Sequence, residues 1–306
     1  MGESDKVVIF DFNNLVFRNF FINEVFPHTE KPDFMLWRYN IINSIYQSLW
    51  KESNITEVVV AVDDKNSWRK SYFPRYKESR KKQRDKSDVD WDLLFSNING
   101  LVSDIKHYLP FKIIKIKSAE ADDIIAVIAN NLKEDVVIIS NDEDYLQLSS
   151  NRIKLYNPQK KEYVKCDDTK MFLLEKIMMG QKKDDIFNII TPDDWGRTEK
   201  TEGKNKPGFG PAALKKVLDI GIDKWFEKKH INKAYGEIDV KRHYKRNQVL
   251  IDFNKIPRTI INRILDQYND YFFPPPSNMY QFFKKYEMRY FLENFTQVEA
   301  KLMELY

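Results

Sequence analysis

Cysteine is nearly absent from this chain of 306 residues, and histidine is scarce. The one thiol, Cys166, excludes an internal disulfide and any cysteine-based zinc site. The four histidines are scattered, which argues against soft-metal chemistry: His28, His107, His230 and His243. No apolar run approaches the roughly 18–20 residues of a membrane-spanning helix, and the polar start MGESDK has no signal-peptide core. These absences predict a cytoplasmic protein with no membrane partner.

Positive charge is concentrated in one segment. The whole chain has a net charge of only +4. Residues 65–86, KNSWRKSYFPRYKESRKKQRDK, contain ten Lys and Arg against two acids, so this segment is +8 and the rest of the chain is −4. A solvated basic helix is the ordinary explanation of such charge. The interleaved aromatics Trp68, Tyr72, Phe73 and Tyr76 favour a surface for single-stranded nucleic acid, because rings stack on bases while cations meet phosphates.

Short apolar runs alternate with helical stretches in the first part of the chain. Runs at 7–10, 58–62, 112–116 and 136–139 predict strands, and 33–51, 89–108 and 119–132 have apolar residues at helical spacing. The alternation predicts an α/β fold with a mostly parallel central sheet flanked by helices. From about residue 170 the pattern becomes helical, so we expect an α/β domain at 1–179 and a smaller helical region at 180–306. The aromatic stretch 279–291 is expected in the core, with a docking surface as the alternative.

Acidic residues gather after the predicted strands. They are Asp11, then Asp63 and Asp64, then Glu120, Asp122 and Asp123, and finally Asp142 and Asp144. Since the carboxyl ends of parallel strands share one edge of a sheet, we expect these side chains to converge. Helix capping, for example by Ser118, or turn chemistry explains any single cluster. Four clusters on one edge would repel strongly unless a cation neutralised them, and all-oxygen ligands select Mg²⁺ or Mn²⁺.

Carboxylate-held metal ions beside a basic, aromatic segment predict a nuclease, because such ions activate water and stabilise the leaving oxygen of a phosphodiester. The stretch PGFGPAALKKVL at 207–218 places Gly208 and Gly210 before a helix that carries Lys215 and Lys216. Glycines there would let a nucleic-acid backbone approach the N–H groups at the helix start. A packing turn between two helices needs the same residues, so this motif alone is ambiguous.

Three motifs together resemble the flap endonuclease and 5′-nuclease superfamily: RKSYFPRYKESRKK at 69–82, EADD at 120–123 and SNDEDY at 140–145. The resemblance covers essentially the whole chain and is nearest to the ribonuclease H group of T-even phages, which removes RNA primers in lagging-strand synthesis. It implies a 5′–3′ exonuclease or flap endonuclease that acts on 5′ ends or flaps of DNA and RNA–DNA duplexes. The inferred contacts go to the backbone, so sequence specificity is expected to be absent.

The resemblance also assigns roles to individual residues. Two Mg²⁺ ions, or Mn²⁺, would be held by Asp11, Asp63, Glu120, Asp122, Asp142, Asp144 and Asp184. Catalysis would rest on Asp11, Asp63, Asp122 and Asp142, with Lys77 and Arg80 on the phosphate and Asp123 beside the ligands. Residues from about 65 to 90, the arch segment, would admit a 5′ single strand, and a monovalent cation would bind at 207–210. Nucleic-acid contacts would come from Arg69, Lys70, Arg75, Tyr76, Lys77, Arg80, Lys81, Lys82, Arg84, Gly208, Gly210, Lys215 and Lys216. Tyr76 would either stack on a base or pack within the protein.

One position departs from the family pattern. Where the family has Gly-Asp-x-x-Asp-Asn, this chain reads GQKKDD at 180–185, so the neutral Gln181 replaces the first acid. Asp184 matches the second acid, and Asp185 stands at the Asn position, where a small backbone shift would let it compensate. We expect the departure to weaken the second metal ion's binding and to leave the first unaffected.

Two alternatives remain open. A catalytically weak or inactive branched-DNA-binding protein follows if Gln181 has removed turnover. The stretch FDFNNL at 10–15 also resembles the first motif of haloacid dehalogenase-type phosphatases, but Asn13 stands where their acid/base residue would be. The superfamily resemblance further implies a monomer that works with a single-stranded-DNA-binding protein and a sliding clamp, although no motif identifies either partner.

Overall fold

A computed structural model of the chain describes residues 4–22, 32–233 and 235–305, so His28 lies outside the described residues. Contacts divide the chain into two compact units. Unit 1 consists of Met1–Asn66, Val89–Cys166 and Arg258–Tyr306. Unit 2 consists of Ser67–Asp88 and Asp167–Pro257.

The secondary structure is mainly helical. The strands are β1 Lys6–Asp11, β2 Ile55–Ala61, β3 Lys112–Ile114, β4 Asp135–Ile139, β5 Ile153–Asn157, β6 Glu162–Val164, β7 His230–Asn232 and β8 Gly236–Ile238. The α-helices are α1 Phe12–Ile22, α2 Phe34–Leu49, α3 Trp68–Tyr72, α4 Glu78–Arg84, α5 Trp91–Tyr108, α6 Ala121–Asn131, α7 Thr169–Met179, α8 Pro211–Ile220, α9 Ile222–Phe226, α10 Val240–Ile251, α11 Arg258–Asn269, α12 Asn278–Lys285, α13 Arg289–Glu293 and α14 Phe295–Met303. Short 3₁₀ helices cover Glu143–Leu148, Lys182–Asp184 and Phe253–Lys255.

Six strands of unit 1 form one sheet in the order β3-β2-β1-β4-β5-β6. The first five pair in parallel, and β6 runs antiparallel to β5. Successive residues of β1, from Val7 to Phe10, are buried on both faces of the sheet, which explains the continuous apolar runs in the sequence. The predicted α/β fold with a mostly parallel sheet is confirmed.

Acidic caps begin several helices of unit 1. Asp33 accepts hydrogen bonds from the first backbone N–H groups of α2, and Asp90 accepts one from Leu93 in α5. At α6 the backbone N–H of Glu120 donates to Asp123 Oδ2 at 3.0 Å. These carboxylates satisfy N–H groups that have no partner inside the helix. Part of the acidic content of unit 1 is therefore structural, including Asp123 after β3.

The aromatic C-terminal stretch lies in the core of unit 1. Phe282, Phe283 and Phe291 are fully buried in the cluster that also contains Trp37 of α2. The rings of Phe283 and Phe291 stack with centroids 4.8 Å apart. The expectation of a core position for 279–291 therefore agrees with the structure.

Unit 2 is built around two smaller apolar clusters. One joins Phe73 and Tyr76 of the arch segment to Ile177, Leu250 and Ile251. The other lies around Met178, Ile189 and Leu214. None of the described helices combines the length and the apolarity that crossing a membrane requires.

The structure differs from the sequence-based expectation in two respects. Strands β5 and β6 extend the sheet, and a hairpin of β7 and β8 lies in the region expected to be helical. The two units also do not follow the expected boundary between residues 179 and 180. The reason is packing: 67–88 joins the apolar cluster of unit 2, whereas the aromatic residues after 278 complete the core of unit 1.

Candidate active site

Three neighbouring strands end at the same edge of the sheet. In the parallel ladder Asp11 pairs with Ala61 of β2, and Phe10 pairs with Ile139 of β4. The chain continues from β2 into Asp63 and from β4 into Asp142. The carboxyl-terminal edge of the sheet is where open α/β folds place their sites.

Asp11 is the most constrained carboxylate at this edge. It is 8% exposed, and three donors hold it. The backbone N–H of Asn14 donates to Oδ1 at 3.0 Å, and the hydroxyls of Ser140 and Tyr145 donate to Oδ2 at 3.2 and 2.9 Å. Burial raises the pKa of Asp11, Asp142 adds to the rise, and the three donors oppose it.

Tyr145 shows which acids converge. Its ring is buried, and burial raises the pKa of its hydroxyl well above the ordinary value. The charges of Asp11, Asp122 and Asp142 raise that pKa further. Carboxylates from β1, α6 and the loop after β4 therefore lie within electrostatic range of one phenol.

Asp63 and Asp64 attach the end of β2 to the start of α6. Asp63 Oδ1 accepts a hydrogen bond from the backbone N–H of Ala121 at 2.6 Å. Asp64 Oδ2 accepts from the N–H of Ser118 at 2.9 Å. Burial acts to raise the pKa of Asp64, but hydrogen bonds, first that of Ser118, outweigh it and the pKa is lowered. Asp64 is thus tied to the turn before α6.

Glu120, Asp122 and Asp123 form a compact group at the start of α6. One oxygen from each lies within 4.8 Å of the others, a spacing that could hold a metal ion. Asp123 is fully buried and caps the helix through Glu120 N–H, so it has a structural role as well. The donors are all carboxylate oxygens, which fit a hard divalent cation.

Asp142 and Asp144 lie on the turn after β4. Asp142 Oδ1 accepts from the N–H of Asp144 at 3.0 Å and caps the 3₁₀ helix Glu143–Leu148. Both side chains are partly exposed, whereas Asp11 is buried. The sequence-predicted acids of unit 1 are therefore at one edge of one sheet.

Asp184, Gln181 and Asp185 belong to unit 2. Asp184 is buried, and its Oδ1 accepts from Arg80 at 2.6 Å with Lys77 Nζ at 3.8 Å. Asp185 Oδ2 accepts from the N–H of Ser79 at 2.7 Å, which fixes the start of α4. The backbone of Gln181 pairs with that of Ile186. Within this unit, ion pairs therefore connect the loop at 181–185 to the arch segment.

Two residues expected to contact nucleic acid occupy interior positions. Arg69 is 1% exposed, and its Nε donates to the carbonyl oxygen of Leu250 at 2.9 Å. Tyr76 is 2% exposed and packs in the apolar cluster with Phe73 and Ile177. Neither side chain offers a surface to a phosphate or a base. The binding role expected for Arg69 is corrected to an internal hydrogen bond, and of the stacking and packing roles expected for Tyr76 the structure shows packing.

The remaining cations of the arch segment differ in availability. Arg75 donates to the carbonyl oxygens of Asp193 and Trp195 at 2.8 and 2.9 Å, so it mainly anchors the segment. Lys77 and Arg84 are partly exposed, and the other cations are exposed: Lys65, Lys70, Arg80, Lys81, Lys82 and Lys86. These side chains can meet a polyanion in solution.

The turn before α8 leaves its glycines open. A Cβ atom added at Gly208 or Gly210 would meet nothing within 4 Å. Gly210 has a φ of −116°, which any residue adopts, and Pro211 begins the helix. Neither local strain nor crowding requires glycine here, while Lys215 and Lys216 are exposed on the helix that follows.

Sequence reasoning missed the groups that hold Asp11. Asn14, Ser140 and Tyr145 lie within motifs singled out for their acids, FDFNNL and SNDEDY. The sequence did contain a signal: Ser140 and Tyr145 stand beside the acids of SNDEDY, and a buried carboxylate needs hydrogen-bond donors of this kind. Asn13 also has a position in the site, since its Oδ1 accepts from the N–H of Asp63 at 3.3 Å.

Family models match nearly the whole chain. The model described as 5′-3′ exonuclease, N-terminal resolvase-like domain, matches residues 6–177. The model described as T4 RNase H, C terminal, matches residues 167–298. The two matches meet in α7.

Individual proteins agree with the family models. Ribonuclease H of Enterobacteria phage T4 is 29% identical over 291 residues, which cover 92% of each chain. Flap endonuclease Xni of Shewanella pealeana is 32% identical over 162 residues, 51% of this chain and 56% of that protein. A crystal structure of the bacteriophage T5 D15 protein with metal ions has a TM-score of 0.59 at 17% identity, covers 86% of this chain and 98% of its own, and shows the same fold.

The sheet edge that collects the acids, the two family models and the full-length similarity to a phage ribonuclease H agree with one another. The chain belongs to the 5′–3′ exonuclease and flap endonuclease family.

Proposed function

We propose that this chain is a divalent-metal-dependent 5′–3′ nuclease that hydrolyses phosphodiester bonds at 5′ ends or flaps of DNA and RNA–DNA duplexes. The observation that carries the proposal is the convergence of Asp11, Asp63 and Asp122 at one edge of the sheet. Carboxylates brought together beside the buried Asp11 repel one another, and a hard cation relieves that repulsion. The similarity to the phage T4 enzyme supports primer removal in phage DNA replication as the biological role.

Two Mg²⁺ ions, with Mn²⁺ as a substitute, are the proposed cofactors. The proposed ligands in unit 1 are Asp11, Asp63, Glu120, Asp122, Asp142 and Asp144. Asp184 of unit 2 remains a ligand that the family resemblance implies. When bound, the ions would activate a water molecule and stabilise the leaving oxygen of the phosphodiester. A monovalent cation at 207–210 belongs to the same proposal.

The residues of the chain prepare the site for these ions. Three hydrogen bonds fix Asp11 before an ion arrives, and the bond from Ala121 fixes Asp63 relative to α6. Preorganised ligands lower the cost of ordering the site on binding. Arg80 and Lys77, which already hold Asp184, supply positive charge for a phosphate.

Nucleic acid would be held through its backbone. The exposed cations Lys70, Lys81 and Lys82 would steer a 5′ strand, and Lys215 and Lys216 would hold the duplex beside the open glycines. Affinity should then fall steeply with salt, because each phosphate contact releases counterions. A monomer in the cytoplasm that works beside a single-stranded-DNA-binding protein and a sliding clamp completes the proposal.

The decisive experiment uses flapped duplexes labelled at the 5′ or the 3′ end, with and without Mg²⁺. The variant Asp142→Asn removes a proposed ligand, and Glu143→Gln is the matched control because its exposed carboxylate lies next in sequence, 3.7 Å from Lys160 Nζ. We expect metal-dependent release of short 5′ products from the wild type and from Glu143→Gln. Asp142→Asn should lose at least about 100-fold in rate, since even groups that only orient a ligand are worth about 10–100-fold.

A non-catalytic branched-DNA binder is the second candidate, and Gln181 is the observation that favours it. Binding of the flapped duplex without cleavage at any metal concentration would replace the nuclease by this binder. Gln181→Asp tests the cause: it should raise activity at low Mg²⁺ if the neutral side chain limits binding of the second ion.

Hydrolysis of a small phosphomonoester without cleavage of a flap would favour the phosphatase alternative. Asn13 argues against that alternative, because it stands at the acid/base position and its Oδ1 accepts a hydrogen bond from the N–H of Asp63.

A further inference from the structure

A second basic surface lies in unit 1, away from the arch segment in sequence. It is a cleft of about 760 Å³ lined by the end of α5, the turn after β3 and α11. We call it the β3-edge cleft. Its volume lies within the range of about 300–1,000 Å³ that ligand sites in proteins occupy.

Cations from three segments meet in the β3-edge cleft: Lys106, Lys115, Lys117 and Arg263. Two carboxylates, Asp266 and Asp270, also line it, so its formal charge is +2. The partners of the cations include neutral oxygens: Lys115 Nζ lies 3.2 Å from Asn99 Oδ1, and Arg263 Nε donates to the Thr259 carbonyl at 3.2 Å. Neutral partners position a cation without cancelling its charge, which stays available for an anionic ligand.

An aromatic ring projects from the same cleft into solvent. Phe272 is 89% exposed. Its backbone is nevertheless anchored, because the adjacent Tyr271 donates its hydroxyl to the carbonyl oxygen of Phe111 at 2.9 Å and packs against Phe273. A phenylalanine held outward has no folding benefit, whereas its face is a platform for an unpaired base.

The β3-edge cleft is next to the acidic site in the same unit. Lys115 and Lys117 belong to the turn that leads from β3 to Glu120. The charge of Lys115 also helps to lower the pKa of Asp64, which follows β2 at the same sheet edge. A cation of the β3-edge cleft is therefore within electrostatic range of a carboxylate at the acidic edge.

We propose that the β3-edge cleft binds a single-stranded stretch of the nucleic-acid substrate, with phosphates on Lys115, Lys117 and Arg263 and a base stacked on Phe272. Asp266 and Asp270, which line the same cleft, would accept hydrogen bonds from base N–H groups. This inference rests on the proposed function, because it names a further substrate contact of the same enzyme.

The test measures binding of a fluorescent oligothymidine of about 20 nucleotides by anisotropy in EDTA, so that cleavage cannot contribute. The cleft variant combines Lys115→Glu, Lys117→Glu and Arg263→Glu. The matched control combines Lys133→Glu, Lys154→Glu and Lys284→Glu, which changes the charge equally at exposed positions of unit 1 outside the cleft. Circular dichroism and thermal melting check that both variants fold.

We expect the Kd of the cleft variant to rise at least about tenfold more than that of the control. The slope of log K against log salt should fall by about 2, since each single-strand phosphate contact contributes about 0.7. Phe272→Ala should raise the Kd for oligothymidine at least about fivefold, because stacking of one base is worth about 1–3 kcal/mol. The same variant should bind inorganic polyphosphate, which has no bases, as the wild type does.

Equal losses in the cleft and control variants would overturn the proposal, because they would reflect only the overall charge. An unchanged Kd in Phe272→Ala would overturn the stacked base. A wild type that binds in EDTA but never cleaves would refute the proposed nuclease and leave the cleft intact. Normal binding by the cleft variant beside normal cleavage by the wild type would refute the cleft alone.

Discussion

Removal of one hydroxyl group should weaken the acidic site without changing its shape. Tyr145→Phe deletes the donor 2.9 Å from Asp11 Oδ2 and keeps the buried ring. Of the three donors to Asp11, only Ser140 at 3.2 Å then still donates to that oxygen. A hydrogen bond to a charged group contributes about 1.5–3 kcal/mol, so the free energy of unfolding of the metal-free protein should fall by that amount at pH 7.

The pH dependence of this loss has a definite sign. Burial raises the pKa of Asp11 above its ordinary 3.8, and the Tyr145 hydroxyl opposes that rise. A group whose pKa is raised on folding binds a proton more readily in the folded chain, so its contribution to stability falls as pH rises from 3.8 through the folded pKa. Tyr145→Phe raises the pKa of Asp11 further. The difference between wild type and variant should therefore be largest at neutral pH and shrink toward pH 3.8.

The assay is urea unfolding across this pH range, with Tyr156→Phe as the matched control. Tyr156 is a buried tyrosine of the same sheet whose hydroxyl meets Lys51 Nζ at 2.6 Å instead of a carboxylate. Its loss should not vary with pH in the acid range. Titration with Mn²⁺ should show about 10–100-fold weaker binding in Tyr145→Phe, the usual effect of losing a group that orients a ligand. Equal behaviour of the two variants would refute the reasoning.

Three further predictions concern other parts of the fold. Burial, and next the charge of Arg246, lowers the pKa of His243 below 6.5, so urea unfolding should show stability falling below that pH, with a smaller slope in His243→Gln. Gly180→Ala should lower the melting temperature more than Gly196→Ala. Both glycines have positive φ, but only at Gly180 would an added Cβ clash with a carbonyl oxygen, that of Ile186. Equal decreases in melting temperature would contradict this. Phe283→Ala should cost about 3–5 kcal/mol in chemical unfolding, whereas exposed Phe272→Ala should stay within about 0.5 kcal/mol, and a mild Phe283 variant would exclude a core position.

The central strands and the acids after them could be predicted because their signals are local. Continuous apolar runs mark buried parallel strands, and a parallel sheet gathers the strand ends at one edge. β5 to β8 were missed because they are short and not continuously apolar: β5 contains the exposed Lys154, β6 the exposed Glu162, and none is long enough to show a recognisable period. Their pairing depends on neighbours that the sequence alone does not specify.

The directions in which the side chains of the site point could not be predicted from the sequence. Arg69 stands in a strongly basic run, yet it points inward to a carbonyl of Leu250, and no charge pattern distinguishes it from Lys70 beside it. Tyr145 was read as part of an acidic motif, whereas its hydroxyl acts on Asp11, 134 residues earlier. Long-range partners of this kind follow from the fold, so they become visible only in the structure.

The division of the chain into discontinuous units has a consequence for biosynthesis. The polypeptide passes between the units after Asn66, Asp88, Cys166 and Pro257. The last side chains of the unit 1 core, from Met279 to Leu305, are translated after every residue of unit 2. On the ribosome unit 2 can therefore finish folding first. The core of unit 1, with the acidic edge of its sheet, is complete only after the final helices have been synthesised. The carboxylates would gain their mutual proximity, and any capacity to bind a cation, only near the end of synthesis.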